Sequence, residues 1–247
     1  MSLKISRILH AGYCFEYQDT RILFDPILEN PFSVNCFAFP AVEFDSAQIE
    51  SLKVDAIFIS HYHDDHCSLE SLNLLNRDIP IYIFCLQGEM LEMIRQLGFH
   101  QVIPLTLRQP IEIGGFEITA WQALDSDVDC LLQIRADGRN VLNVVDSWID
   151  AQTMDQLLLE KPWDLLLWPF QTLRELEVLS PSRHPASTCK IPPEWILQLK
   201  ALSPKAIVPS SCQFIHEEWS WYNQHMFPIL KLAEKLLVQS AQFAKNW

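Results

Sequence analysis

The most constraining feature of this chain is residues 56–72, AIFISHYHDDHCSLESL, where an apolar strand runs into a histidine-rich turn and then a helix start. His61, His63 and His66 fall within six positions, with Asp65 among them. Imidazoles suit borderline metals and carboxylates harder ones, so the mixture fits zinc, manganese or iron better than calcium or magnesium. Just past a strand end, the alternating His61 and His63 converge on one ion, while Asp65 and His66 turn toward a second. The competing reading is a solvated loop in which Asp64 or Asp65 caps the helix. Three of only eight histidines standing directly after a buried-looking strand argue against it.

Around this segment, short apolar runs bounded by turn residues predict strands at Phe15–Tyr17, Ile22–Phe24, Ala56–Ser60, Ile81–Phe84, Phe116–Ala120, Leu131–Ile134 and Val141–Val145. Helices are expected from Ser68 to Asn76, behind a capping serine, and from Glu89 to Leu97, ending at Gly98. The last third adds a helix around Met154–Leu159, strands at Leu165–Trp168 and Ala206–Val208, and a final helix from Leu230 to Ala244 whose apolar face packs on a sheet. The proline-rich stretch Leu179–Pro193 reads as a loop and a wall of a substrate pocket. With no repeat or linker, residues 1–247 read as one domain.

A net charge of −13 excludes a general affinity for nucleic-acid phosphates or anionic membranes. Part of that acidity is the counter-charge of bound metal. Seven cysteines without a CxxC pair suggest neither a disulfide framework nor a zinc knuckle, so the chain reads as reduced, intracellular and cytoplasmic. No targeting segment or membrane-spanning apolar stretch is expected.

His-x-His-x-Asp-His after a hydrophobic strand resembles the signature of the metallo-β-lactamase superfamily. The opening ILHAGYCFEYQDTRILFDPIL is similar to that family's first hairpin, ending at Asp25-Pro26, and LNVVDSW to the strand carrying its metal-bridging aspartate. The resemblance runs from about His10 to Pro209. It lies nearest the branch of ascorbate-lactonase-like proteins and the hydrolase-like part of CMP-sialic-acid hydroxylases. It implies a four-layer αββα sandwich with metals at one edge, and it assigns the bridge to Asp146. Periodicity alone allows a mixed α/β sheet equally.

Two positions depart from the family pattern. Where a further histidine is usual, the chain reads ALDSDVDCLLQI, and the register places Asp125 there, with Asp127 and Asp129 close behind. The implied arrangement is His61, His63 and Asp125 on one ion, bridged by Asp146 to Asp65 and His66; a solvated acidic turn is the alternative. Where Pro-x-His is usual, the chain has Pro209-Ser210-Ser211, leaving Cys212, His216 or His225 as substitutes and the second site weak or empty. His10 and Asp25 read as partners orienting the ligands or as ordinary strand-end polar residues. His100 and His184 read as surface or loop. Trp148 and Trp168 read as core, and Trp219–Tyr222 as a pocket wall.

The expected activity is hydrolysis of a small-molecule ester, lactone, amide or phosphoester by a metal-activated water, with Asp65 and Asp146 as the catalytic carboxylates. No serine nucleophile elbow or phosphate-binding glycine loop offers a competing centre. The rival readings are a ligand-binding or regulatory protein with a degenerate site, and a di-iron redox protein. A homo-oligomer is compatible with the sequence.

Overall fold

A computed structural model of the chain describes residues 2–169, 193–211 and 214–216. One six-stranded sheet has the order β1 (Lys4–Arg7), β2 (Tyr13–Tyr17), β3 (Thr20–Phe24), β5 (Ala56–Ile59), β6 (Ile81–Ile83), β7 (Val102–Pro104). The other has the order β13 (Ala206–Ser210), β12 (Leu165–Pro169), β11 (Arg139–Asn143), β10 (Cys130–Ala136), β9 (Phe116–Gln122), β8 (Ile111–Ile113). In each sheet antiparallel hairpins give way to parallel strands, from β3 to β7 in the first and from β11 to β13 in the second. A two-stranded ribbon pairs β4 (Phe37–Ala38) with β14 (Phe214–Ile215).

Alternation along each strand divides the side chains between a shared interior and an outer helix layer. Phe15, Phe24, Phe58, Ile118, Leu132 and Val141 fill the space between the sheets. Ile57, Ile59 and Ile81 face outward beneath α1 (Ser46–Glu50), α2 (Leu69–Asn73) and α3 (Gly88–Gln96). On the opposite face Leu131, Leu142 and Leu166 pack beneath α4 (Ala151–Leu159) and α5 (Pro193–Leu202). The result is the αββα sandwich. β5 is buried along its whole length, as a parallel strand covered on both faces must be.

The expected strands are present with ends shifted by a few residues, and Ser68 Oγ caps α2 by accepting from Ser71 N, so neither Asp64 nor Asp65 is its cap. Gly98, at φ 103, follows the last turn of α3 in the left-handed conformation that a helix stop favours. The sequence reading missed β1, β7 and β8, which are only three or four residues long, and α5, where Pro193 opens a helix. The rest of the expected loop Leu179–Pro193, the helix Leu230–Ala244 and Trp219–Tyr222 lie outside the described residues. No helix among the described residues is long and apolar enough to cross a membrane.

Candidate metal centre

The parallel strands deliver the polar residues, because the backbone leaves the sheet at their carboxyl ends and side chains there can converge. Asp25 follows β3, Ser60 and His61 follow β5, Asp146 follows β11, and Ser211 follows β13. Four residues at this edge, His10 (φ 53), Asp25 (φ 41), Val145 (φ 62) and Ser211 (φ 57), are left-handed. For a β-branched residue such as Val145 this conformation is unfavourable, and such strain persists only where packing imposes it. Val145 is fully buried, and its turn re-aims Asp146 toward the histidines.

Two groups of ligating atoms result, each lying within 4.8 Å of one another: His61, His63 and Asp129; and His10, Asp65, His66 and Asp146. Asp146 stands between them, with Oδ2 3.2 Å from His66 Nε2 and Oδ1 3.9 Å from His61 Nε2. His61 and His66 have ring centroids 4.1 Å apart. The structure thus brings together His61, His63, Asp65, His66 and Asp146. Asp125 is not among them; the acid beside His61 and His63 is Asp129. The 125–129 turn closes through Asp129 N donating to Asp125 O at 2.9 Å, which leaves the Asp125 side chain exposed and faces Asp129 toward His61. Ser147 Oγ holds the second oxygen of Asp129 at 2.8 Å. The available signal was adjacency: Asp129 directly precedes the buried strand β10, whereas Asp125 lies four residues out.

Asp25, fully buried, organises both histidine groups. It accepts from Ser60 N and Ser60 Oγ, each at 2.7 Å, and lies 3.1 Å from His66 Nδ1. With the Ser60 proton committed to Asp25, Ser60 Oγ accepts from His61 Nδ1 at 3.0 Å. One carboxylate thereby directs the Nε2 lone pairs of both His61 and His66 into the centre. Ser60 went unnoticed in the sequence because it reads as the last residue of a strand.

A metal fits these residues. His61 Nε2 and Asp129 Oδ1 are buried without a hydrogen-bond partner among the described residues, which is costly for polar atoms unless an ion satisfies them. Burial, reinforced by positive charge on His66, pushes His61 well below the ordinary imidazole value. Burial also disfavours charge on His66, but Asp146 and Asp65 outweigh it and raise that imidazole well above its usual value. The reciprocal attraction overcomes burial at Asp65 and Asp146 and holds both below the usual carboxylate range. Ser211 is buried with its hydroxyl unpartnered among the described residues. His216 is half-buried beside Phe214, while Cys212 and His225 lie outside the described residues. Trp168 is core, whereas Trp148, expected in the core, is exposed, its ring tilted by 46° to that of Trp195 at 4.9 Å.

Comparison with known proteins agrees with this fold. Residues 20–197 match the Beta-lactamase superfamily domain. Cytidine monophosphate-N-acetylneuraminic acid hydroxylase of Cricetulus griseus is 28% identical over 151 residues, covering 58% of this chain and 27% of that protein. The match thus spans about a quarter of the length of that curated relative. Among solved structures, the isothiocyanate hydrolase from Delia radicum gut bacteria superposes with a TM-score of 0.61 at 18% identity, covering 85% of each chain. CmlA, a diiron β-hydroxylase from Streptomyces venezuelae, superposes with a TM-score of 0.62 at 16% identity, covering 98% of this chain and 51% of its own.

Proposed function

The chain belongs to the β-lactamase superfamily and has the metallo-β-lactamase fold, whose members hold one or two metal ions, and from that premise we propose that it is a metal-dependent hydrolase of a small-molecule ester, lactone, amide or phosphoester. The observation that carries the reading is Asp146, one carboxylate reaching toward imidazoles of two neighbouring ligand groups. His61, His63 and Asp129 would hold one ion, and Asp65, His66 and Asp146 a second, with zinc, manganese and iron all compatible with the donors. Bound ions would polarise a carbonyl or phosphoryl oxygen and bring the pKa of water near neutrality. Asp25 and Ser60 keep the imidazole tautomers fixed. Asp65, the more exposed of the two acids at 26% against 14% for Asp146, is placed to pass a proton to the leaving group.

The test is reconstitution with zinc, manganese and iron separately, followed by metal analysis and a substrate panel of those four bond classes. Turnover that disappears in His61→Ala and His63→Ala supports the reading. Stoichiometric metal retained in both variants overturns it. No turnover with any metal, together with tight ligand binding, would favour a binding protein.

A second reading, di-iron oxidation, is favoured by Asp129, which makes the first group harder than one built from imidazoles alone. Iron-dependent oxygen consumption without hydrolysis would select it.

A further inference from the structure

We infer that His10, from the turn between β1 and β2, is a ligand of the second metal ion. This deepens the two-ion reading and rests on it. His10 is fully buried, its Nδ1 has no hydrogen-bond partner among the described residues, and its Nε2 faces the carboxylate of Asp65. Its ring lies 5.7 Å from Phe32 and 5.6 Å from Phe214, which supply no polar atom. Ligating groups lie beside it as well: Nε2 is 3.2 Å from Asp65 Oδ2, and the ring is 5.1 Å from that of His66. A fully buried imidazole whose Nε2 lies within 4.8 Å of ligating atoms of Asp65, His66 and Asp146 has the position of a fourth donor, and an ion among the four would be held by that nitrogen.

The backbone is shaped to place the ring there. His10 adopts φ 53 inside a turn closed by Gly12 N donating to Leu9 O at 2.7 Å and Ile8 N donating to Gly12 O at 2.9 Å. That turn is pressed against the strand end carrying Asp25: a Cβ at Gly12 would lie 2.6 Å from the Asp25 carbonyl oxygen. The close approach brings His10 beside Asp65 and His66. The donor that Ser211 cannot provide from the end of β13 would thus come from the first hairpin, at the other end of the chain.

An alternative role is that His10 only donates a hydrogen bond to Asp65 and so orients it. His10→Asn separates the two, since an amide can still donate but is a poor ligand, and His10→Ala removes both functions. The measurement is metal stoichiometry and chelator competition on the full chain loaded with zinc. The expected result is two ions in the wild type and one in each variant, with the second ion bound at least about 100-fold more weakly and the first within about threefold. His10→Asn holding the second ion within tenfold of the wild type overturns the assignment. A wild type that binds fewer than two ions overturns the two-ion reading, and the assignment with it. If neither variant folds, the cobalt-loaded wild type decides: a hyperfine-shifted imidazole signal assigned to His10 supports the assignment, and an unshifted His10 overturns it.

Discussion

In the group formed by His61, His63 and Asp129, burial prevails: it lowers His61 and raises Asp129, driving both toward their neutral forms. A few ångströms away, in the group containing Asp65, His66 and Asp146, burial is outweighed by attraction, and the same residue types are held charged. The difference lies in distance and number. His66 has carboxylate oxygens at 3.1, 3.2 and 3.6 Å from three different aspartates, whereas His61 meets carboxylate oxygens only at 3.6 and 3.9 Å, with a second imidazole pressed against it. Coulombic energy falls with separation, while the cost of losing water is paid by each buried charge alone. One centre therefore contains a group whose buried imidazole His61 is already neutral and a group whose imidazole His66 first has to release a proton.

The largest effect expected is from Asp146→Ala, which removes the carboxylate common to both groups. Metal analysis should show loss of both ions, and any hydrolytic activity should fall by at least about a thousandfold. Retention of one tightly bound ion would show the two groups to be more independent than the geometry implies.

Asp25→Asn comes next. It leaves both ligand groups intact but disturbs the hydrogen bonds that aim them, so affinity should fall about 10- to 100-fold at each, read by chelator competition. Losing charge-assisted bonds in a fully buried position should also cost about 2–3 kcal/mol in denaturant unfolding. A change confined to one ion would mean that Ser60 does not transmit the effect to His61.

Proton competition should then distinguish the groups. His66 has a raised pKa, so near neutral pH an ion entering its group displaces a proton, and affinity there should rise by up to about tenfold per pH unit until the raised value is passed. His61 is already neutral in that range, so the first group should show a flatter profile. In the metal-free chain the sign is reversed: the His66 ion pairs stabilise the fold fully below the ordinary imidazole value and are lost as pH rises through the raised one. Equal slopes for the two ions in titrations at pH 6, 7 and 8 would dissolve the contrast.

The smallest effects compare neighbours in one turn. Asp129→Asn should weaken the first ion about tenfold or more, whereas Asp125→Asn should change it by less than about twofold, because only its backbone carbonyl is used. The reverse outcome would restore Asp125 as the ligand.

The sequence by itself determined the strand–turn–helix unit of residues 56–72, because its apolar run, closely spaced histidines and Ser68 cap are local features. It also determined the layered core, since alternation fixes which of Phe58 and Ile59 faces inward. What it could not determine was any contact requiring distant segments to meet at a particular angle. Asp125 and Asp129 differ in the sequence only by their distance from β10, and the turn between them fixes their directions. Ser60 becomes an intermediary only when Asp25, 35 residues earlier, lies 2.7 Å away. His10 comes against Asp65 and His66 because a glycine allows the first hairpin to approach the end of β3, and close packing between distant strands has no local pattern to announce it.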